Sequence, residues 1–256
     1  MYGWRPVLIS PPHLLYRPAL TGMVVETLPY PESLEDRLHA LEDYSERTFK
    51  PVDSVLQEVV ERAHAHNMPD IHVGNMDGLT LEVIIRMAGY KKASTMVEVG
   101  ALAGFSGIVI ARALGPGGHL HTIEFNPDYA EVARESFRKA GLEDRVTVHI
   151  GRASQVLEQL AELGPFDGIF IDADKDNYPV YLDWAEKNIR VGGGVFGDNT
   201  FGFGHVWRDP EDFEEQHLRS AISGLRSFNA RLADNPNFRA TILPTDQGLT
   251  MAVRIK

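Results

Sequence analysis

From Thr95 onward the chain alternates short apolar runs with amphipathic stretches of helical period. The runs cover residues 95–99, 119–123, 146–150, 168–171 and 194–197. The two that end before Asp172 and Asp198 are continuous and apolar, which predicts parallel strands buried on both faces. The stretches between them carry helix signals. Asn126 followed by Pro127 predicts an N-cap with proline at the first helical position, and Gly141 predicts a stop. Leu157, Leu160 and Leu163 follow Ser154, and residues 178–189 turn Tyr181 and Trp184 inward. Asp209-Pro210 predicts the start of a long helix presenting Phe213, Leu218, Ile222, Leu225 and Leu232. The tail FRATILPTDQGLTMAVRI reads as two β-runs around a Pro-Thr-Asp-Gln-Gly turn, a hairpin. Before Thr95 the pattern is helical. Ser33 and Asp36 form a capping box ahead of Leu34, Leu38 and Leu41. A second helix over 52–65 places Val52, Val55, Leu56, Val59 and Val60 on one face, and a third carries Leu79, Leu81, Ile84, Ile85 and Met87.

Five β-α units closed by an antiparallel pair predict an α/β fold: a doubly wound, Rossmann-like, seven-stranded sheet with a C-terminal hairpin and N-terminal helices, not a barrel. Residues 1–32, with Pro6, Pro11, Pro12 and Pro18, read as an extended arm in which Met23 is an alternative start. Residues 33–256 read as one domain, helical over 33–92 and α/β over 93–256.

Composition narrows the chemistry. In 256 residues, 25 Lys and Arg against 36 Asp and Glu give a net charge of -11, which argues against nucleic acid or an anionic membrane as main partner. There is no cysteine, which excludes disulfides, thiolate metal sites and cysteine nucleophiles. No run approaches the roughly 18 apolar residues of a membrane span, and the prolines of the arm interrupt any signal-peptide core. A cytoplasmic enzyme is the expectation.

Candidate chemistry sits where the apolar runs stop. FDGIFIDADKDNY ends its run at Asp172, with Asp174 and Lys175 beyond, and GGGVFGDNT ends at Asp198 and Asn199. Open α/β sheets bind ligands beyond the carboxyl ends of their strands. On neighbouring strands, two carboxylates and an amide make a hard-cation site with a lysine beside it. VEVGALAGFSG places Glu98, Gly100, Gly104 and Ser106 at the first strand-to-helix turn. This is not the G-x-G-x-x-G of dinucleotide folds, and it suits a nucleoside ligand without a pyrophosphate. Glu124 ends the second run, where an acid accepts ribose hydroxyls. His64, His66 and His72 read as a solvated loop, since no further zinc ligands accompany them.

With VEVGALAGFSG, HTIEFNPDYAEVAR, FDGIFIDADKDNYPVY, GGGVFGDN and DQGLTMAVR, the chain resembles the cation-dependent class I S-adenosylmethionine-dependent O-methyltransferases, which include catechol and caffeoyl-coenzyme A O-methyltransferases. The resemblance runs from about Met76 to the C-terminus. It implies S-adenosylmethionine and Mg2+, with Ca2+ or Mn2+ also compatible with the ligand types. Glu98, Gly100, Ala101, Gly104 and Ser106 would line the cofactor loop, Glu124 would take the ribose, Ala153 would flank the adenine and Asp174 would lie near the methionine end. Asp172, Asp198 and Asn199 would hold the metal, and Lys175, with Asp172, would act in catalysis as proton acceptor. An ordinary lysine, with a pKa near 10.4, needs a neighbouring cation for that role. The implied reaction methylates a hydroxyl of a small phenolic, catechol-like substrate in a homodimeric enzyme. Where relatives often carry a leucine-tryptophan pair after the Asp-Asn, this chain has Thr200-Phe201-Gly202, and Phe203, His205 and Trp207 follow as candidates for an aromatic wall. Methylation of a hydroxylated uridine in tRNA is an alternative that the charge disfavours. An NAD-linked oxidoreductase and a non-catalytic binder of S-adenosylmethionine are further alternatives, disfavoured by the absent glycine fingerprint and by the full ligand set with Lys175.

Overall fold

The computed structural model describes residues 33–90, 94–245 and 247–256; the expected arm over 1–32 lies outside them. The helices are α1 (Leu34–Phe49), α2 (Ser54–Ala65), α3 (Asn75–Met87), α4 (Phe105–Leu114), α5 (Pro127–Lys139), α6 (Ala153–Leu160), α7 (Tyr178–Asn188) and α8 (Gln216–Asp234). The strands are β1 (Thr95–Val99), β2 (His119–Glu124), β3 (Val146–Ile150), β4 (Phe166–Ile171), β5 (Ile189–Gly197), β6 (Phe238–Leu243) and β7 (Leu249–Arg254). They form one seven-stranded sheet in the order β3-β2-β1-β4-β5-β7-β6. The first five are parallel, and β7 runs antiparallel to both β5 and β6. The expected doubly wound sheet with its antiparallel hairpin is the observed architecture. The chain divides at Asp43/Tyr44 into two compact units, and the second, Tyr44–Lys256, carries the sheet and the site described below.

Side chains alternate across a strand, so the inner strands feed two cores. Met96, Leu120, Phe170, Phe196 and Leu249 pack with α2, α3, α4 and α5 on one face. Val97, Val99, Ile123, Ile169, Ile171 and Val195 pack with α6, α7 and α8 on the other. Burial on both faces explains why the runs read as uninterrupted apolar segments.

The local signals act as expected in several places. Asp36 N–H donates to Ser33 Oγ (3.0 Å) and Ser33 N–H to Asp36 Oδ2 (3.2 Å), closing the capping box. Asn126 Oδ1 accepts from Asp128 N (2.9 Å) at the start of α5, and Gly141 follows its end at φ 67°. Other signals were overridden. Asp209-Pro210 opens only a 3-10 turn, Pro210–Asp212, with Asp209 Oδ1 accepting from Glu211 N (3.0 Å). Phe213 is extended (φ -96°, ψ 130°) and buried from the loop against His205, so the long helix begins later, at Gln216. Leu163, expected on the apolar face of α6, falls in the turn that redirects the chain into β4 and is exposed. Leu38 and Leu41 of α1 are likewise exposed.

Candidate active site

The strand order reverses between β1 and β4, so the connections from these neighbours leave to opposite sides and open a crevice at their carboxyl ends. A cavity of about 870 Å³ occupies it, within the size range of pockets that bury a small ligand. The turns after β1, β2, β3, β4 and β5 all contribute to its wall.

The turn after β1 is shaped by two glycines. Gly100 has φ 98°, and a Cβ there would lie 2.0 Å from the Asp172 carbonyl oxygen, so the turn runs in direct contact with the chain leaving β4. Gly104, at φ 96°, is the residue that leads into α4. Glu124 ties this turn to the one after β2, one oxygen to each. Oε2 accepts from Leu102 N (2.9 Å) and Oε1 from Asn126 N (2.9 Å). Each carboxylate oxygen retains a lone pair for a ligand hydroxyl.

Of the cofactor residues expected from the sequence, Gly100, Ala101, Ser106, Glu124, Ala153 and Asp174 line the cavity, whereas Glu98 and Gly104 are not among its lining residues. Glu98 is fully buried, with Thr122 Oγ1 donating to its Oε2 (2.5 Å). Burial pushes its carboxyl up to about 7, against hydrogen bonds from Thr122 and Ser106 that lower it. It therefore supports Ser106 and the β1 turn from below. Asp174 has both oxygens engaged, Oδ1 by Tyr181 Oη (2.5 Å) and Oδ2 by Asn177 Nδ2.

The raised Glu98 carboxyl sets a pH dependence. A group whose folded pKa lies above its unfolded value stabilises the fold fully below that unfolded value, near 4.5, and the contribution is lost as pH rises through about 7. Glu98→Gln is expected to flatten the decline in melting temperature between pH 5 and 8, removing roughly 3 kcal/mol of pH-dependent stability. Calorimetry of both proteins across that range checks this; identical pH slopes would exclude the assignment.

At the ends of the next two strands, Asp172 N donates to Val99 O (2.9 Å) and Asp198 N to Ile171 O (2.9 Å), so both acids are the first residues past the paired strands. Asn199 follows in the left-handed region (φ 56°), which asparagine tolerates. Asp198 Oδ1 and Asn199 Oδ1 are buried and have no hydrogen-bond partner. Burial, then the charge of Asp172, pushes the Asp198 carboxyl up to about 7, with Lys175 opposing. Buried acceptor oxygens call for a partner, a donor or a cation, and two carboxylates with an amide are hard-cation donors. The residues therefore fit a divalent metal. Among the described residues, no group of three or more His, Cys, Asp or Glu side chains forms a metal site. His64 and His72 flank Asp70 instead (3.8 and 3.2 Å) and line the cavity.

Lys175 Nζ lies 3.0 Å from Asp172 Oδ1 and donates to Tyr178 Oη (2.8 Å). The fully buried Tyr178 hydroxyl shares its own proton between Ile171 O (3.0 Å) and Asp198 O (2.8 Å), bridging β4 and β5. Burial, then the Asp172 and Asp198 charges, holds this phenol well above its ordinary range, so it stays a donor. Sequence reasoning gave Tyr178 no role, although the i,i+3 spacing from Lys175 was there to be read. Of the loop aromatics, Phe203 lines the cavity and is half exposed, with φ 55°; Trp207 points to solvent, with 79% exposed.

Residues 46–255 match the family model described as O-methyltransferase. The chain is 39% identical over 193 residues to a catechol O-methyltransferase of Niastella koreensis, covering 75% of this chain and 83% of that one. It is 31% identical over 183 residues to a caffeoyl-CoA O-methyltransferase of Eucalyptus gunnii, covering 70% and 72%. Among solved structures, the O-methyltransferase of Bacillus cereus in complex with SAH superimposes with a TM-score of 0.76 at 35% identity, covering 84% of this chain and 97% of that one. No helix among the described residues is long and apolar enough to cross a membrane.

Proposed function

Because the chain belongs to the O-methyltransferase family, we propose that it transfers the methyl group of S-adenosylmethionine to one hydroxyl of a catechol-like substrate with the help of a divalent cation. The observation that carries this reading is the pair of buried, partnerless oxygens on Asp198 and Asn199, beside Asp172 and Lys175, in a cavity that also contains Glu124. Glu124 would accept the ribose hydroxyls, Gly100, Ala101 and Ser106 would hold the methionine part, and Ala153 would flank the adenine; all five line the cavity. Asp172, Asp198 and Asn199 would hold the cation, magnesium by donor type. When bound, a divalent cation would draw both acceptor oxygens to one face of the cavity and favour the deprotonated forms of the acceptor hydroxyl and of a neighbouring amine.

The chain's own residues account for the rest. The acceptor's hydroxyl proton goes to the Lys175 amine. The freed oxygen pair forms the new O–C bond as the C–S pair returns to sulfur, leaving a methyl ether and a neutral thioether. Phe203, at the cavity wall, would cover a flat ring and exclude water. Fixing the acceptor within reach of the methyl group is itself a large part of such a rate enhancement.

Incubation with S-adenosylmethionine and a panel of catechols, with magnesium or with EDTA, tests the reading by product mass. The expected result is a gain of one methyl that EDTA suppresses. Methylation undiminished by EDTA would overturn the cation assignment, and cofactor binding without any methylated catechol would overturn the substrate class.

A further inference from the structure

Gly224 sits in the interior of the 19-residue helix α8, where glycine is an unfavourable choice. A Cβ there would lie 2.3 Å from the Lys175 carbonyl oxygen and 2.7 Å from the Asp176 Cα. Both are backbone atoms, so no side-chain rotation relieves the overlap. Helix and turn are in direct backbone contact at this point, and only a residue without a Cβ permits it.

One turn further along the same face, Phe228 packs edge-on against Tyr178 (5.3 Å between ring centroids, 82°). Asn229 Nδ2 then donates to Thr200 O (3.1 Å), just beyond Asp198 and Asn199. The face of α8 formed by residues 224, 228 and 229 thus touches the turn that carries Lys175, the ring whose hydroxyl receives the Lys175 amine, and the segment after the candidate cation ligands.

We propose that Gly224 and Tyr178 are positioning residues for Lys175, Gly224 by letting α8 press on the backbone of its turn and Tyr178 by fixing its amine beside Asp172. The proposal rests on the reading of Lys175 as proton acceptor for its catalytic consequence, but the placement itself stands on the contacts above. An added methyl at 224 must push the turn away from α8. The amine then leaves the 3.0 Å contact with Asp172, while Glu124 and the β1 turn, held by separate hydrogen bonds, keep their places.

The test compares Gly224→Ala, Tyr178→Phe, Lys175→Ala and the double variant Gly224→Ala/Lys175→Ala, with 3,4-dihydroxybenzoate, S-adenosylmethionine and magnesium, alongside crystal structures of the first two. Gly224→Ala is expected to lower kcat about 100-fold, the scale of an ångström-sized misplacement, with KM for the cofactor unchanged and Lys175 displaced from Asp172. The double variant is expected to match Lys175→Ala alone, because both changes act through one group. Tyr178→Phe, which keeps the ring and its contact with Phe228, is expected to free the Lys175 amine and lower kcat about tenfold. An unmoved Lys175 in the Gly224→Ala crystal, or losses that multiply in the double variant, would overturn the proposal. If Gly224→Ala does not fold, an unmoved amine in Tyr178→Phe does so. Wild-type kcat in Lys175→Ala would instead remove the proton-acceptor role, and the crystal coordinates alone would then decide the positioning.

Discussion

Asp198→Asn is expected to lower turnover at least ~1000-fold while raising the melting temperature of the metal-free protein. The two effects have one cause. Asp198 is 5% exposed, and burial together with the charge of Asp172 lifts its carboxyl to about 7. A carboxyl raised in this way stabilises the fold below its ordinary range and loses that contribution as pH climbs through about 7. At pH 8 the metal-free protein therefore holds an ionised acid in a site that disfavours it. Asparagine keeps the shape without the charge, and a gain of roughly 5 °C is expected for a chain of this size. The same substitution removes one of two carboxylates from the candidate cation site, and several kcal/mol of transition-state stabilisation correspond to the expected loss of rate. Calorimetry at pH 8 with EDTA and turnover with magnesium read the two halves. A variant that melts lower, or one that keeps more than about a tenth of wild-type turnover, would contradict the assignment.

Glu124→Ala is expected to weaken binding of S-adenosylhomocysteine about 100-fold or more. A hydroxyl donating to a carboxylate is worth about 1.5–3 kcal/mol, and a ribose offers two. The substitution also releases the N–H groups of Leu102 and Asn126, so the β1 turn loses the anchor that shapes it. Glu124→Gln is the informative control. It presents one acceptor where the acid presents two, and its amide N–H meets a backbone N–H, so an intermediate loss is expected. Titration calorimetry measures both, and a dissociation constant within about threefold of wild type for the alanine variant would exclude Glu124 from the cofactor site.

The part of the molecule written in hydrophobic period was legible beforehand. Buried parallel strands leave uninterrupted apolar runs, and their abrupt ends at Asp172 and Asp198 marked the crevice without any tertiary information. Local hydrogen-bond signals were equally readable, as the caps at Ser33 and Asn126 show. What failed were inferences that a distant surface decides. Asp209-Pro210 carries a sound helix start, but Phe213 is extended and buried from the loop, and the helix begins only after it. Glu98 stands one residue before the cavity-lining Val99 and Gly100, and strand alternation turns it into the opposite layer beneath α4. Gly224 was invisible for the same reason. Nothing in the pattern of α8 reveals that the backbone of another segment lies against it.

The contact between Gly100 and the Asp172 carbonyl has a consequence for how the site fills. The turn expected to embrace the nucleoside and the strand end expected to grip the cation share a wall with no room for a methyl group between them. A shift of the Asp172 carbonyl itself toward Gly100 would displace the β1 turn. If both ligands bind as proposed, they would be linked: whatever factor one contributes to the other's affinity would be returned in equal measure. On that reading, a tightly packed glycine would make each ligand a reporter of the other's site.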